Sequence, residues 1–197
     1  HNAVAPETGR ELLRRIIAAT NCRLARYQHA STGLLVWANE TAIGVDDDPC
    51  VWGRPAFSTA QTLLNFLWIQ DLAEAAAAAE QLGDSDAATF FTRIHAQSLE
   101  AVRRFLWDER DGFFYSADVG IAHHTTRHRR FGQLHANLTP FWKILPIRIY
   151  TWGGFMALWC RAATEEQAAR VVEKMFDSAI FKSSHGLRSV GRNETRY

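Results

Sequence analysis

Residues 58–107, STAQTLLNFLWIQDLAEAAAAAEQLGDSDAATFFTRIHAQSLEAVRRFLW, decide the fold class, because they contain two helical patterns separated by one turn. Ser58 can cap the first helix, whose apolar residues recur at three- and four-residue steps as far as about Leu82. Gly83 is typical of the residue that ends a helix, and the Asp-Ser-Asp run after it begins a second pattern that reaches Trp107. The stretch therefore predicts two antiparallel helices joined by a short turn.

Helical patterns continue on both sides of this pair. Residues 11–27 place leucine and isoleucine side chains along one stripe, which predicts a helix before the pair. Residues 151–163 predict a helix after it, and Thr164 with Gln167 forms a capping box at the start of another. Residues 113–115 suggest a short strand, but no βαβ alternation, heptad or close repeat is present. We therefore predict an all-α fold built of antiparallel helix hairpins.

The composition is typical of a soluble globular protein. The 22 lysines and arginines nearly balance the 21 aspartates and glutamates, so there is no charge excess to hold nucleic acid or an anionic membrane. The longest apolar run, residues 75–79, is far too short to span a bilayer. Cys22, Cys50 and Cys160 are odd in number and widely spaced, which disfavours a disulfide framework and fits a reducing, cytoplasmic location. We expect one helical unit spanning residues 1–197.

Residues 30–55 interrupt the helical pattern and are the place to look for chemistry. Glycines and prolines break any regular period there, and a loop of this length between helices is uncommon unless it has a function. The loop contains three adjacent aspartates, Asp46, Asp47 and Asp48. Their mutual repulsion could raise the pKa of one of them, as acid–base catalysis requires. The alternative is a solvated acidic turn or a helix cap.

Aromatic and basic side chains flank the three aspartates. Trp37, Trp52 and Phe57 offer apolar faces on which the C–H face of a sugar ring could stack. Arg54 could orient a sugar hydroxyl, or it could neutralise the acidic loop as an ion pair. Trp152, beside two glycines, could line the same pocket or belong to the core. These neighbours predict a sugar-binding site around the loop.

Two other kinds of site are disfavoured by spacing. A group of histidines could suggest a metal or phosphate site, but acidic or thiolate co-ligands are absent nearby: His123, His124, His128 and His135. The aspartate run lacks the further acid that the aspartate-rich metal motif of terpene cyclases needs, since Cys50 or Val51 stands at that position. We therefore predict neither a metal site nor a cofactor.

Several short motifs occur in a distinctive order along the chain. The acidic segment contains Gly33-Leu34-Leu35, then Trp37, then Gly44-Val45-Asp46-Asp47-Asp48-Pro49. It is followed by Leu82-Gly83-Asp84, Leu106-Trp107-Asp108-Glu109, Asp111-Gly112-Phe113-Phe114-Tyr115, Ala163-Thr164-Glu165-Glu166-Gln167-Ala168 and, after Phe181, His185-Gly186-Leu187-Arg188-Ser189. This order resembles glycoside hydrolase family 63 and its mannosylglycerate-hydrolase-like relatives, which are six-hairpin glycosidases. The resemblance covers most of the chain.

The resemblance implies a fold and a reaction. The fold would be an (α/α)6 toroid, in which paired helices form inner and outer rings and loops at one end build a sugar pocket. Asp46 occupies the position of the family's general acid, and Asp47 would adjust its pKa or contact the sugar. The reaction would be the inverting hydrolysis of an α-glucoside or α-mannoside, either an α-linked oligosaccharide or a small glycoside.

The resemblance also implies that the chain holds only part of the machinery. About five predicted helices correspond to about half of an (α/α)6 catalytic domain. The segment that supplies the family's general base is not found, and Glu194 is a candidate only because it is a carboxylate. A homo-oligomer could complete the ring, or the sequence could be a fragment of a longer enzyme. The alternative function is a catalytically inactive helical module that binds carbohydrate or a partner protein.

Overall fold

The computed structural model describes residues 6–38, 48–120 and 144–194. The α-helices are α1 (Pro6–Tyr27), α2 (Thr62–Gln81), α3 (Ser85–Phe105), α4 (Met156–Trp159) and α5 (Glu165–Phe176), and a 3-10 helix (Trp152–Phe155) precedes α4. The β-strands are β1 (Thr59–Ala60), β2 (Trp107–Asp108), β3 (Phe113–Phe114), β4 (Ser116–Asp118), β5 (Leu145–Ile147), β6 (Lys182–Ser183) and β7 (Gly186–Leu187). The chain is therefore helical with small sheets, and the all-α prediction holds only for its larger elements.

The predicted helix pair is α2 and α3. Gly83 has a positive φ of 72°, which favours glycine, and the Asp84 side chain accepts a hydrogen bond from Ala87 N–H at 3.0 Å. The two helices are joined across their faces by a hydrogen bond of 3.2 Å from Trp68 Nε1 to Ser98 Oγ. The prediction of two antiparallel helices joined by a short turn is therefore confirmed.

The start of α2 was predicted wrongly. The helix begins at Thr62 with Gln61 as its N-cap residue, and Ser58 instead donates a hydrogen bond of 2.7 Å to the carbonyl oxygen of Pro55. The residues between them form β1, in which Thr59 pairs with Asp118. A two-residue strand has no detectable period, so the local pattern could not reveal this tertiary pairing.

The later helices also differ from their predicted lengths. The capping box at the start of α5 is confirmed, because Thr164 Oγ1 accepts from Gln167 N–H and Gln167 Oε1 accepts from Thr164 N–H. The predicted helix 151–163 is instead a 3-10 turn followed by the short α4. A Cβ on Gly154 would clash with the ring of Phe113, so the chain approaches β3 where only glycine fits.

The small sheets are antiparallel, and β4 of the largest is hydrogen-bonded to the first residue of α2 through Ser116 and Thr62. The largest has the strand order β1, β4, β5, in which Ala60 faces Ala117 and Ser116 faces Ile147. The other two are the pairs β2 with β3 and β6 with β7. The predicted strand at residues 113–115 is confirmed for its first two residues.

The core has two parts that meet along α2. One lies between α1, α2 and α3 and includes Leu13, Leu72 and Phe91. The other lies under the sheets, where Phe66 of α2 contacts the ring of Phe114 edge to face at 5.3 Å. Residues of α2 therefore belong to both parts of the core. Within the described residues, no helix is long and apolar enough to cross a bilayer.

Candidate functional site

The acidic loop is described at both of its ends. Asp46 and Asp47 lie in residues 39–47, outside the described part of the chain. Before them, the carbonyl oxygen of Trp37 accepts a hydrogen bond of 2.9 Å from Phe57 N–H. This bond joins Trp37 and Phe57, which stand on either side of the segment predicted to carry the catalytic acid.

Asp48 anchors this loop to α2. It is 7% exposed, and its Oδ1 accepts a hydrogen bond of 2.8 Å from Cys50 N–H. Its Oδ2 accepts from Nε2 of Gln61, the N-cap residue of α2. The positive end of the helix dipole favours a carboxylate at this position. Of the three adjacent aspartates, Asp48 is therefore held in place by hydrogen bonds and has a structural role. It stands two residues along the chain from Asp46.

A buried polar cluster surrounds Cys50. The thiol is completely buried and lies close to the side chains of Asp48, Ser116 and Thr151. Burial first, and then the charge of Asp48, raise the pKa of the thiol well above its ordinary value. The thiol therefore stays protonated and is no nucleophile. Ser116 Oγ also accepts from Thr62 N–H at 3.1 Å, so β4, the loop and the start of α2 meet here.

Arg54 forms an ion pair with Asp118 of β4. The distance from Nη1 to Oδ2 is 2.9 Å, and the other carboxylate oxygen of Asp118 accepts from Gly120 N–H at 2.9 Å. Arg54 thus forms an ion pair, but with Asp118 rather than with the acidic loop that it was predicted to neutralise. A contact between Arg54 and a sugar stays a prediction. Sequence reasoning missed Asp118, because a partner 64 residues away belongs to no local motif.

The predicted stacking residues differ in exposure. Trp37 is half-buried and Trp52 is 59% exposed. The ring of Trp37 packs against Tyr27 at 5.7 Å between centroids, and Tyr27 stacks on Phe57 at 6.2 Å and 17°. The loop therefore carries an aromatic group, Tyr27, Trp37 and Phe57, at the point where its ends close. The participation of Tyr27 was not predicted, because Tyr27 belongs to α1.

Trp152 lies at the same end of α2 as the loop. It begins the 3-10 helix, is 36% exposed and donates a backbone hydrogen bond of 2.8 Å to Ser189. A Cβ on the next residue, Gly153, would lie 2.8 Å from Thr62 Oγ1 at the start of α2. The placement is compatible with the predicted pocket, and a contact between Trp152 and substrate stays a prediction.

Glu194 was a candidate carboxylate for the general base, and four histidines could have suggested a metal or phosphate site. The Glu194 carboxylate accepts a hydrogen bond of 2.9 Å from Tyr150 N–H, so it supports the backbone of the neighbouring segment. The four histidines lie in residues 121–143, outside the described ranges. Among residues 6–38, 48–120 and 144–194, no group of three or more His, Cys, Asp or Glu side chains could hold a metal ion.

Known structures and sequences resemble this chain over different lengths. A family 63 mannosylglycerate hydrolase of Thermus thermophilus, solved in complex with glucose, matches with a TM-score of 0.71 at 16% identity, over 96% of this chain and 50% of that one. Its complex with Tris and D-glycerate matches with a TM-score of 0.63 at 15% identity, over 86% of this chain and 49% of that one. Cytosolic neutral trehalase of Saccharomyces cerevisiae is 31% identical over 75 residues, which are 38% of this chain and 7% of the trehalase. This chain thus spans about half the length of these solved hydrolases, whose likeness shows the fold.

A family model accounts for nearly the whole chain. The model described as mannosylglycerate hydrolase MGH1-like glycoside hydrolase domain matches residues 7–197. The match includes every motif on which the resemblance rested, so the resemblance is confirmed. The chain belongs to the family of mannosylglycerate hydrolase MGH1-like glycoside hydrolase domains.

Proposed function

We propose that this chain supplies the general-acid half of an inverting α-glycosidase, with Asp46 as the acid. The observation that carries the proposal is a pair of hydrogen bonds flanking the acidic segment, one between Phe57 and Trp37 and one between Asp48 and the N-cap residue of α2. Such anchoring at both ends would hold an intervening carboxylate in a reproducible position, as general acid catalysis requires. Membership of a glycoside hydrolase family supports the reaction class.

In the proposed reaction, Asp46 protonates the glycosidic oxygen while a second carboxylate activates water on the opposite face of the sugar. An inverting pair of carboxylates is expected roughly 6.5–9.5 Å apart. The substrate would be an α-linked oligosaccharide or a small glucoside or mannoside. Asp47 and Arg54 would contact its hydroxyl groups, and Trp37, Trp52 and Trp152 would form the walls. The solved hydrolase structures with glucose and with D-glycerate support a small glycoside as the class of ligand.

The general base would come from outside the residues that we assign to the site. Glu194 already accepts a hydrogen bond from Tyr150 N–H, which disfavours it as the base. We propose that residues 1–197 form about half of an (α/α)6 catalytic domain. The remaining half, from a longer polypeptide or from a second copy, would bring the base across from Asp46.

The position of Glu194 also favours a second candidate function. A helical module without its own base could bind carbohydrate, or a partner protein, through the same loop without turnover. Binding of a glycoside with no hydrolysis by any assembly of this chain would support that function.

The test is hydrolysis of aryl α-glucosides and α-mannosides by wild type and by Asp46→Asn. We expect the variant to lose roughly 100- to 10,000-fold of kcat, because it cannot donate the proton. The loss should be much smaller for glycosyl fluorides, whose leaving group needs no protonation. Asp86→Asn, an exposed change in the first turn of α3, is the matched control.

Three results bear on the proposal separately. Release of the β-anomer, followed by NMR, would support inversion, whereas release of the α-anomer would exclude it. Unchanged turnover in Asp46→Asn would exclude Asp46 as the acid. A folded wild type with no turnover would exclude a second copy of this chain as the source of the base and would favour the binding module.

A further inference from the structure

Phe57 combines an unusual backbone conformation with an exposed ring. Its φ is 60°, in the left-handed region that a residue with a Cβ rarely adopts, and its side chain is 49% exposed. Among the described residues, Arg161 is the other non-glycine residue with a positive φ. Arg161 follows the end of α4, where Ala162 N–H bonds to Ala157 O at 2.9 Å, so a helix terminus accounts for it. Phe57 follows no helix within the described residues of the loop.

Contacts on both sides of Phe57 maintain this conformation. Its N–H donates to Trp37 O at 2.9 Å, and its ring lies nearly parallel to that of Tyr27, with 17° between the planes. Tyr27 is supported in turn by the ring of Trp37. The following residue, Ser58, is buried and bonded to Pro55 O. Strained conformations persist where the surroundings impose them, and such sites are often functional.

The turn by itself does not require phenylalanine. Glycine or asparagine would adopt a positive φ more easily, and a ring that is half exposed contributes less burial than a core aromatic. The ring is backed by Tyr27 on one side and is substantially exposed to solvent. This arrangement is what a stacking surface for a flat apolar ligand face needs, since the ring is held in place before the ligand arrives.

We propose that the exposed face of Phe57 is a subsite for a pyranose ring, supported from behind by Tyr27. The C–H face of a pyranose stacks favourably on an aromatic ring. Phe57 closes the loop that carries Asp46, so this subsite belongs to the site of the proposed glycosidase, and the inference rests on that function. Tyr27, whose ring stacks on that of Phe57, is therefore a positioning residue for this subsite.

The test is a titration of the full chain with methyl α-D-mannopyranoside and methyl α-D-glucopyranoside, followed by NMR. Phe57→Asn removes the ring but tolerates the left-handed conformation, so the loop should keep its shape. We expect it to weaken binding roughly tenfold, the value of an aromatic stacking contact, while Phe57→Tyr stays within about twofold of wild type. Phe176→Asn, which removes a ring that is 60% exposed on α5, is the control.

The outcomes separate this inference from the proposed function. If wild type binds either glycoside and Phe57→Asn binds it equally well, the subsite is excluded while the glycosidase proposal stands. If folded wild type binds neither glycoside and hydrolyses none, both are overturned. If Phe57→Asn changes self-association and leaves sugar binding unchanged, the ring covers protein rather than sugar, and the inference is wrong.

Discussion

Cys50 illustrates how surroundings determine the chemistry of a single side chain. The thiol is completely buried beside Asp48, and burial is the main reason that its pKa is raised. In the unfolded chain the same thiol ionises above about pH 8.5. Because the folded pKa is raised, the contribution of Cys50 to stability is complete below that pH and is lost as the pH rises beyond it.

We predict that Cys50→Ser makes the protein less sensitive to alkaline pH. Serine does not ionise in this range, so the variant should avoid a loss of about 1.4 kcal/mol in unfolding free energy for each pH unit above about 8.5. Urea unfolding between neutral and alkaline pH measures this slope. Cys22→Ser, which changes an exposed cysteine, is the control. Equal slopes for wild type and Cys50→Ser would show that ionisation of Cys50 does not cause the alkaline loss of stability.

The side chain of Asn65, in α2, forms hydrogen bonds with the backbone of Leu35, as a neighbouring strand would. Its Oδ1 accepts from Leu35 N–H at 2.9 Å, and its Nδ2 donates to Leu35 O at 3.0 Å and to Gln61 O at 2.9 Å. These bonds attach residues 34–36 to α2. Trp37 and the acidic loop follow directly, so Asn65 also determines where the loop begins.

We predict that Asn65→Leu destabilises the protein by about 2–4 kcal/mol, because the N–H and C=O of Leu35 would be left buried without these partners. Urea unfolding at neutral pH measures the change. Gln70→Leu, on the same helix, removes an amide that bonds to the side chain of Glu74 and should change stability by only about 0.5 kcal/mol. A loss below about 1 kcal/mol in Asn65→Leu would show that Leu35 finds other partners.

In the whole molecule, an apolar groove lies between α1 and α2. It holds a cavity of about 450 Å³ lined by Ile16 of α1 and by Trp68 and Leu72 of α2. A second cavity of about 200 Å³ includes Leu67, and Arg23 and Asp71 form an ion pair of 3.4 Å beside both. Exposed apolar surface of this kind favours association.

We predict that the chain by itself self-associates through this groove. Leu67→Glu places a charge on the groove and should shift the assembly towards monomer, as measured by sedimentation equilibrium over a wide concentration range. Leu67 is 38% exposed, and the control, Leu187→Glu, changes a leucine that is 47% exposed on β7. A monomeric wild type, or dissociation caused by the control alone, would rule out the groove as the interface.

The sequence by itself determined the helix pair, the capping box of α5 and the family, because each depends on residues close together in the chain. A helix period, a glycine after a helix and a capping box act within one or two turns. Each motif of the family resemblance is also a short stretch of residues, so their order along the chain was readable without coordinates. The family match over residues 7–197 agrees with it.

Only the tertiary structure decided the small sheets and the partners of the loop. β1 exists because Thr59 and Ala60 meet β4, and Arg54 meets Asp118 from 64 residues away. The adjacent aspartates look equivalent in sequence, yet Asp48 is an anchor because Gln61 faces it. A residue's role in such a site depends on burial and on distant hydrogen-bond partners, and neither is encoded in a local pattern of residues.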